Sequence, residues 1–178
     1  MSVYLKKEND ITIYVIDKDV NTFEVEMARK GFEKKNQILG LIRDGDDMFT
    51  CSYPVQIMYE INQGDNDYTI SVSNNLTKIR TLEKENDLMY ENIISVDYEN
   101  REFYIVKYVH TLKHSTIEAK TYSNINGGNL SYDESHEIII SSLEKIKNIN
   151  IFEKYIDIDK LELFFKELNI YKKPSIQK

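Results

Sequence analysis

Residues 93–111 read IISVDYENREFYIVKYVHT and contain two apolar, β-branched and aromatic runs around a polar loop. The runs are Ile93–Tyr98 and Glu102–Thr111, and the loop is Glu99–Arg101. Runs of this composition joined by a short polar connection are typical of paired antiparallel strands. These residues therefore predict a β-hairpin just beyond the middle of the chain.

The N-terminal third predicts two more hairpins. In the first, Ile11–Ile16 and Thr22–Met27 flank a cluster of turn-forming residues. In the second, Ile38–Arg43 and Met48–Tyr53 flank Asp44–Asp47, in which an Asp-Gly pair favours a tight reversal. Single strands are then predicted at Val55–Ile61, Tyr68–Ser73 and Thr116–Tyr122.

The segment Leu76–Asn92 has a mixed pattern. Leu76, Ile79 and Leu82 recur at near-helical spacing, which predicts a helix, although Asn86 interrupts the apolar stripe. A hairpin is the alternative for this segment.

Two helices are predicted near the C-terminus. Ser131 followed by Glu134 matches a capping box, and the apolar spacing behind it predicts a helix over 132–147. Asp159 is the predicted N-cap of the second helix. Its apolar stripe consists of Leu161, Phe164, Phe165 and Leu168.

Strands grouped first and helices grouped last predict an α+β fold. We expect about eight strands in a meander-like, largely antiparallel sheet over the N-terminal two-thirds, covered by the two C-terminal helices. With 178 residues and no change of composition along the chain, residues 1–171 are predicted to form a single domain. Residues 172–178 are predicted to be a flexible tail.

Composition excludes several classes of function. The net charge of −7 opposes the field that attracts phosphate backbones, so direct nucleic-acid binding is not expected. Cys51 is the single cysteine and cannot form an intramolecular disulfide, which favours a reducing compartment. No apolar stretch approaches the roughly 20 residues of a membrane-spanning helix. We therefore expect a cytoplasmic protein.

Acidic turns are the most suggestive feature of the chain. Every second turn of a meander lies at the same end of its sheet, so the aspartates of the two N-terminal hairpin turns should be neighbours. Such a cluster would attract a protein partner with a basic surface and speed its association. The predicted partner-binding residues are Asp17, Asp19, Asp44, Asp46 and Asp47.

The histidines offer only a weak alternative site. His110 and His114 have the i, i+4 spacing of helical metal ligands, with His136 as a third candidate. Their context predicts a strand, where four residues span about 13 Å, too far for one ion. No nucleotide-binding, metalloprotease or nucleophile-elbow motif is present, so no cofactor is expected and nothing in the sequence supports catalysis.

The leading hypothesis is therefore a small acidic protein that binds another protein, as a stoichiometric inhibitor or an immunity or anti-defence factor. A phage origin fits the bias towards Ile, Asn, Lys and Tyr, which AT-rich codons encode. Three alternatives stay open: a small-molecule carrier with a cavity between the sheet and the C-terminal helix, a hydrolase or phosphoesterase that uses His110 and His114, and a phage structural component. The oligomeric state is not predicted.

Overall fold

A computed structural model describes residues 2–17, 24–35, 55–73, 75–111, 117–123 and 128–168, and the strands among them form one antiparallel sheet. The strands are β1 (Ser2–Glu8), β2 (Ile11–Asp17), β3 (Glu33–Lys35), β4 (Val55–Gln63), β5 (Asn66–Ser73), β6 (Leu76–Glu85), β7 (Leu88–Asp97), β8 (Glu102–Thr111) and β9 (Ile117–Ser123). The helices are α1 (Glu24–Arg29), α2 (Tyr132–Asn148), a 3₁₀ helix (Asn150–Lys154) and α3 (Ile158–Glu167). The predicted α+β class, with its antiparallel meander and two C-terminal helices, is confirmed.

The order of strands across the sheet is β3-β1-β2-β4-β5-β6-β7-β8-β9. From β4 onwards each strand pairs with the next one in the chain, as expected of a meander. The departure is β3, which follows α1 and returns to pair with β1 at the edge of the sheet.

Two-residue turns set the register of three hairpins at one end of the sheet. They are Asn9-Asp10 between β1 and β2, Gly64-Asp65 between β4 and β5, and Asn86-Asp87 between β6 and β7. Each turn begins with a positive φ, at 56° for both asparagines and 62° for the glycine. Asparagine and glycine tolerate this left-handed conformation best, which explains why they occupy these positions.

The two faces of the sheet differ in polarity, as two rows of residues show that are offset by one position along each strand. One row across six strands is almost purely apolar and lies in the main core: Ile13, Tyr59, Ile70, Ile79, Ile94 and Ile105. The adjacent row faces the other way: Tyr14, Met58, Ser71, Lys78, Ser95 and Tyr104. Because successive side chains of a strand point to opposite faces, the two rows lie on opposite faces of the sheet. The helices pack on the face of the first row, whose residues share the main core with theirs.

Helix α2 begins with the predicted capping box. The backbone N–H of Glu134 donates to Ser131 Oγ at 3.1 Å, and the backbone N–H of Ser131 donates to Glu134 Oε1 at 3.3 Å. The predicted stripe of Ile139, Leu143 and Ile146 is at most 1% exposed. This helix is therefore confirmed in both its start and its buried face.

Helix α3 buries the predicted aromatic stripe but begins earlier than expected. Phe165 packs edge-on against Phe103 of β8, with 5.5 Å between ring centroids. The predicted N-cap at Asp159 is wrong. Asp157 caps the helix instead, because its side chain accepts the backbone N–H of Lys160 at 3.0 Å.

The sheet joins the helical layer through a close approach of two backbone segments. The backbone N–H of Leu130 donates to the carbonyl of Thr121 at 3.0 Å, and Asn129 Oδ1 accepts the N–H of Thr121 at 2.9 Å. A Cβ on Gly128 would lie 2.1 Å from the same carbonyl. Glycine is therefore required there, and this contact occupies the edge of β9 at Thr121.

Two predicted elements are wrong. The described part of the predicted strand Thr22–Met27 is helical, because Glu24–Arg29 forms α1, with two glutamates in its first turn and an arginine in its last, as the helix dipole favours. Strand β2 forms its hairpin with β1 instead. Leu76–Asn92 is not a helix but the hairpin of β6 and β7, which turns at Asn86-Asp87.

The predicted hairpin of Ile38–Arg43 and Met48–Tyr53 lies outside the described residues.

Candidate functional site

An apolar groove crosses the helix-side face of the sheet between α1 and the 3₁₀ helix. Its floor consists of two cross-strand pairs from β2 and β4, Ile13 with Tyr59 and Val15 with Ile57. These side chains point to the same face of the sheet as the main core, where alternating positions of each strand carry apolar residues. At this position, however, the floor borders a cavity of about 500 Å³.

Helix α1 and the turn after it form one wall of the groove. Met27 and Phe32 line it, and the backbone N–H of Phe32 donates to the carbonyl of Met27 at 2.9 Å. Gly31, with a φ of 87°, reverses the chain between them. Lys6 ties this wall to β1, because its Nζ donates to the carbonyl of Lys30 at 3.0 Å.

Tyr155, just after the 3₁₀ helix, forms the opposite wall. Its ring stacks on Tyr59 with 4.9 Å between centroids and 26° between planes. Burial raises the pKa of both tyrosines above its ordinary value of 10.0. The completely buried Phe152 anchors the 3₁₀ helix in the main core.

Glu8 on β1 fastens this second wall to the sheet. Its carboxylate forms an ion pair with Lys154 of the 3₁₀ helix. The hydrogen bond from Lys154 is the largest cause that lowers the pKa of Glu8 to about 2, and the same contact raises the pKa of Lys154. Glu8 is therefore fully ionised at neutral pH and holds Tyr155 beside the groove.

Charged side chains surround the mouth of the groove. Lys6 Nζ lies 3.6 Å from a Glu8 oxygen, and Lys30 Nζ lies 3.1 Å from a Glu26 oxygen. All four side chains are partly exposed, between 26% and 61%. An apolar interior of a few hundred Å³ with a few polar groups at its rim is the usual architecture of a small-molecule site.

The opposite face of the sheet carries a second cavity of about 260 Å³. Ser71, Lys78, Ser95 and Tyr104 line it, and Gln56 Nε2 donates to Ser71 Oγ at 2.7 Å. These four residues form one row across β5 to β8 that faces away from the groove, so this cavity does not continue it.

Of the five aspartates predicted to bind a partner, the structure describes Asp17. It ends β2 and is completely buried, at the end of the sheet opposite the three two-residue turns. Asp19, Asp44, Asp46 and Asp47 lie outside the described residues.

The described turns present other aspartates that sequence reasoning missed. Asp10, Asp65 and Asp87 are exposed in the three two-residue turns at one end of the sheet. Neighbouring turns are separated by two strand spacings, or roughly 10 Å. The available signal was the repeated dipeptide, Asn-Asp or Gly-Asp, between apolar runs.

The structure places the histidines on different sides of the sheet. His110 Nε2 lies 3.1 Å from Glu91 Oε1 on the face that the helices leave uncovered, and Arg80 pairs with the same carboxylate. His136 lies on α2, which packs on the other face. His114 lies outside the described residues, as does Cys51. Within the described ranges, no group of three His, Cys, Asp or Glu side chains could hold a metal ion.

Comparison with known proteins gave no match to a family model, to a curated protein or to a solved structure. No described helix is long and apolar enough to cross a bilayer.

Proposed function

We propose that this chain binds a small apolar molecule in the groove between α1 and the 3₁₀ helix. The observation that carries the proposal is the floor of the groove, where Ile13, Val15, Ile57 and Tyr59 border a cavity of about 500 Å³. These side chains are buried or half-buried, so a ligand that covers them removes their remaining apolar surface from water, which lowers the free energy.

Two features indicate that the groove is a ligand-binding site and not a space left by imperfect packing. Both walls are attached to β1, through the contact of Lys6 with Lys30 and the ion pair of Glu8 with Lys154, so the cavity is preformed. The stacked rings of Tyr59 and Tyr155 give a rigid aromatic border at little cost in side-chain entropy. The groove lies between α1 and the 3₁₀ helix, and not beneath the C-terminal helix, where the sequence predicts the cavity of a carrier.

Binding of Nile red, an uncharged dye whose emission depends on polarity, tests this proposal. Ile57→Trp fills the floor of the groove, and we expect it to weaken dye binding at least about tenfold, or about 1.4 kcal/mol. Val25→Trp is the matched control, because Val25 lies on α1, is 67% exposed and does not line the groove.

The chain has no native tryptophan, so each variant also carries a single fluorescent reporter. Equal dye binding by Ile57→Trp and the wild-type protein would rule out the groove as the site. Circular dichroism establishes that each variant is folded. Native mass spectrometry of protein from its own host should in addition show a stoichiometric bound molecule.

The second candidate is the function predicted from the sequence: a cytoplasmic inhibitor, immunity or anti-defence factor that covers a basic surface of another protein. The observation that favours it is the exposure of Asp10, Asp65 and Asp87 in turns at one end of the sheet. Carboxylates spaced by roughly 10 Å create a joint field, because the screening length is similar at physiological salt.

Association rates measured with a partner identified from the host test this second candidate. Two triple variants separate the possible surfaces: Asp44, Asp46 and Asp47 changed to Lys, and Asp10, Asp65 and Asp87 changed to Lys. We expect one of them to slow association and to reduce its dependence on salt. If both triple variants associate at the wild-type rate, the acidic surfaces do not bind the partner.

A further inference from the structure

The charges at the mouth of the groove indicate which class of small molecule it binds. The groove is lined by two ammonium groups, of Lys6 and Lys30, and by two carboxylates, of Glu8 and Glu26, and Lys154 pairs with Glu8 just outside this lining. Lys30 pairs with Glu26 and Lys154 pairs with Glu8, so the positive charge of Lys6 is the one that these two pairs do not balance, in a chain whose net charge is −7. This positive site is local, because it opposes the field of the whole molecule.

Glu8 does not oppose an incoming anion strongly, because Lys154 already balances its charge. Lys154 forms a close ion pair with it, and Lys6 Nζ lies 3.6 Å from its other oxygen. The low pKa of Glu8 has the same origin.

Lys6 is the cation with capacity for a ligand. Its ammonium group donates to the carbonyl of Lys30 at 3.0 Å and lies 5.6 Å from the centroid of the Phe32 ring, on the wall of the groove. The distance of 3.6 Å to Glu8 is too long for a hydrogen bond. An ammonium group has three N–H donors, so Lys6 can donate a hydrogen bond to a carboxylate while it keeps its contact with Lys30.

We propose that the ligand of the groove is an amphipathic carboxylate, such as a medium-chain fatty acid, with its carboxylate on Lys6 and its apolar part on the floor. The proposal rests on the function proposed above. Ile13, Val15, Ile57 and Tyr59 suit an alkyl or aryl chain, and the ammonium group lies at the mouth, where a charged head stays partly hydrated.

Displacement of Nile red by dodecanoate, dodecanol and dodecylamine tests the assignment, because these ligands share one chain and differ in their head groups. We expect dodecanoate to bind at least about tenfold more tightly than dodecanol, since a charge-assisted hydrogen bond is roughly twice as strong as a neutral one. Dodecylamine should bind most weakly of the three.

Three variants show whether Lys6 is the anchor. Lys6→Met should remove the preference for the carboxylate, and Lys6→Arg, which keeps the charge, should retain it. Lys7→Met is the matched control, because the next residue on β1 points to the other face of the sheet and does not line the groove.

The outcomes separate the two proposals. If the wild-type protein binds the alcohol or the amine as tightly as the carboxylate, the ligand class is wrong while the groove remains a binding site. If Lys6→Met keeps the full preference, Lys6 is not the anchor and the proposal fails. If neither Nile red nor any of the three ligands binds, the proposed function itself is wrong.

Discussion

The same face of one sheet ends in two different environments. Towards β8, the face meets α3, where Phe103, Phe164 and Phe165 pack edge-to-face and are at most 3% exposed. Towards β1, equally apolar residues such as Ile57 border the groove instead. The strands supply similar surface at both ends, so the position of the helices decides where it becomes core and where it becomes a cavity.

This difference separates stability from binding. A side chain surrounded on all sides contributes its full transfer and packing energy to folding, whereas one that borders a cavity contributes less. The apolar surface that remains is then available to a ligand. Substitutions at the α3 end should therefore act on stability, and substitutions at the groove should act mainly on binding.

The largest effect is expected from Phe165→Ala at the α3 end. Phe165 is completely buried between Phe103 and Phe164, so its loss should lower the free energy of unfolding by about 3 to 5 kcal/mol. Urea unfolding followed by circular dichroism measures this change. Leu163→Ala on the same helix is the control, because Leu163 is 56% exposed, and its effect should stay within about 0.5 kcal/mol. Similar losses in both variants would mean that α3 does not pack as described.

Ile57→Ala at the groove should have a smaller effect on stability. Its side chain is only partly buried, so we expect a loss of about 1 to 2 kcal/mol in the same urea experiment. Binding of Nile red should weaken at the same time, because the floor loses apolar surface. A loss of stability as large as that of Phe165→Ala would break the comparison between the two ends.

Local sequence patterns predicted most of the fold. Strands β4, β5, β8 and β9 and helices α2 and α3 follow from apolar alternation, helical spacing and the capping box at Ser131. Segment 76–92 was mispredicted because its apolar spacing fits a helix. Thr77, Ile79 and Thr81 also alternate as in a strand, and their cross-strand partners decide between the two patterns.

The groove could not be predicted in the same way. Its residues extend from Lys6 to Tyr155 along the chain, and no local spacing connects them. They meet because β2 pairs with β4 while α1 and the 3₁₀ helix stop short of each other. The sequence leaves open a cavity between the sheet and the C-terminal helix, but where a cavity forms depends on where the helices pack, and the groove lies beside α1 and the 3₁₀ helix instead.

Ser131→Ala tests how firmly α2 is held over the sheet. The variant removes the oxygen that accepts the N–H of Glu134, so we expect a loss of about 1 kcal/mol. Ser141→Ala, the same chemical change in the interior of α2, should be close to neutral because alanine favours the helix. Urea unfolding of both variants compares them directly. Equal stability of the two would show that the capping box contributes nothing to the helical layer.

The smallest effect concerns the ion pair of Glu8 and Lys154, at the boundary between the groove and the packed end. The pKa of Glu8, about 2, lies below the ordinary 4.5. The contribution of Glu8 to stability is therefore complete above about pH 4.5 and is lost as the pH falls towards 2. Lys154→Met removes the main cause of this shift, so the pKa of Glu8, followed by NMR, should rise towards its ordinary value. The decline of stability over the same range of pH should become shallower. Lys7→Met changes a lysine that points away from Glu8 and should leave the titration unchanged. If the pKa stays near 2 without Lys154, then this ion pair does not attach the 3₁₀ helix to β1, and the wall formed by Tyr155 is held by the burial of Phe152 and by the stacking on Tyr59.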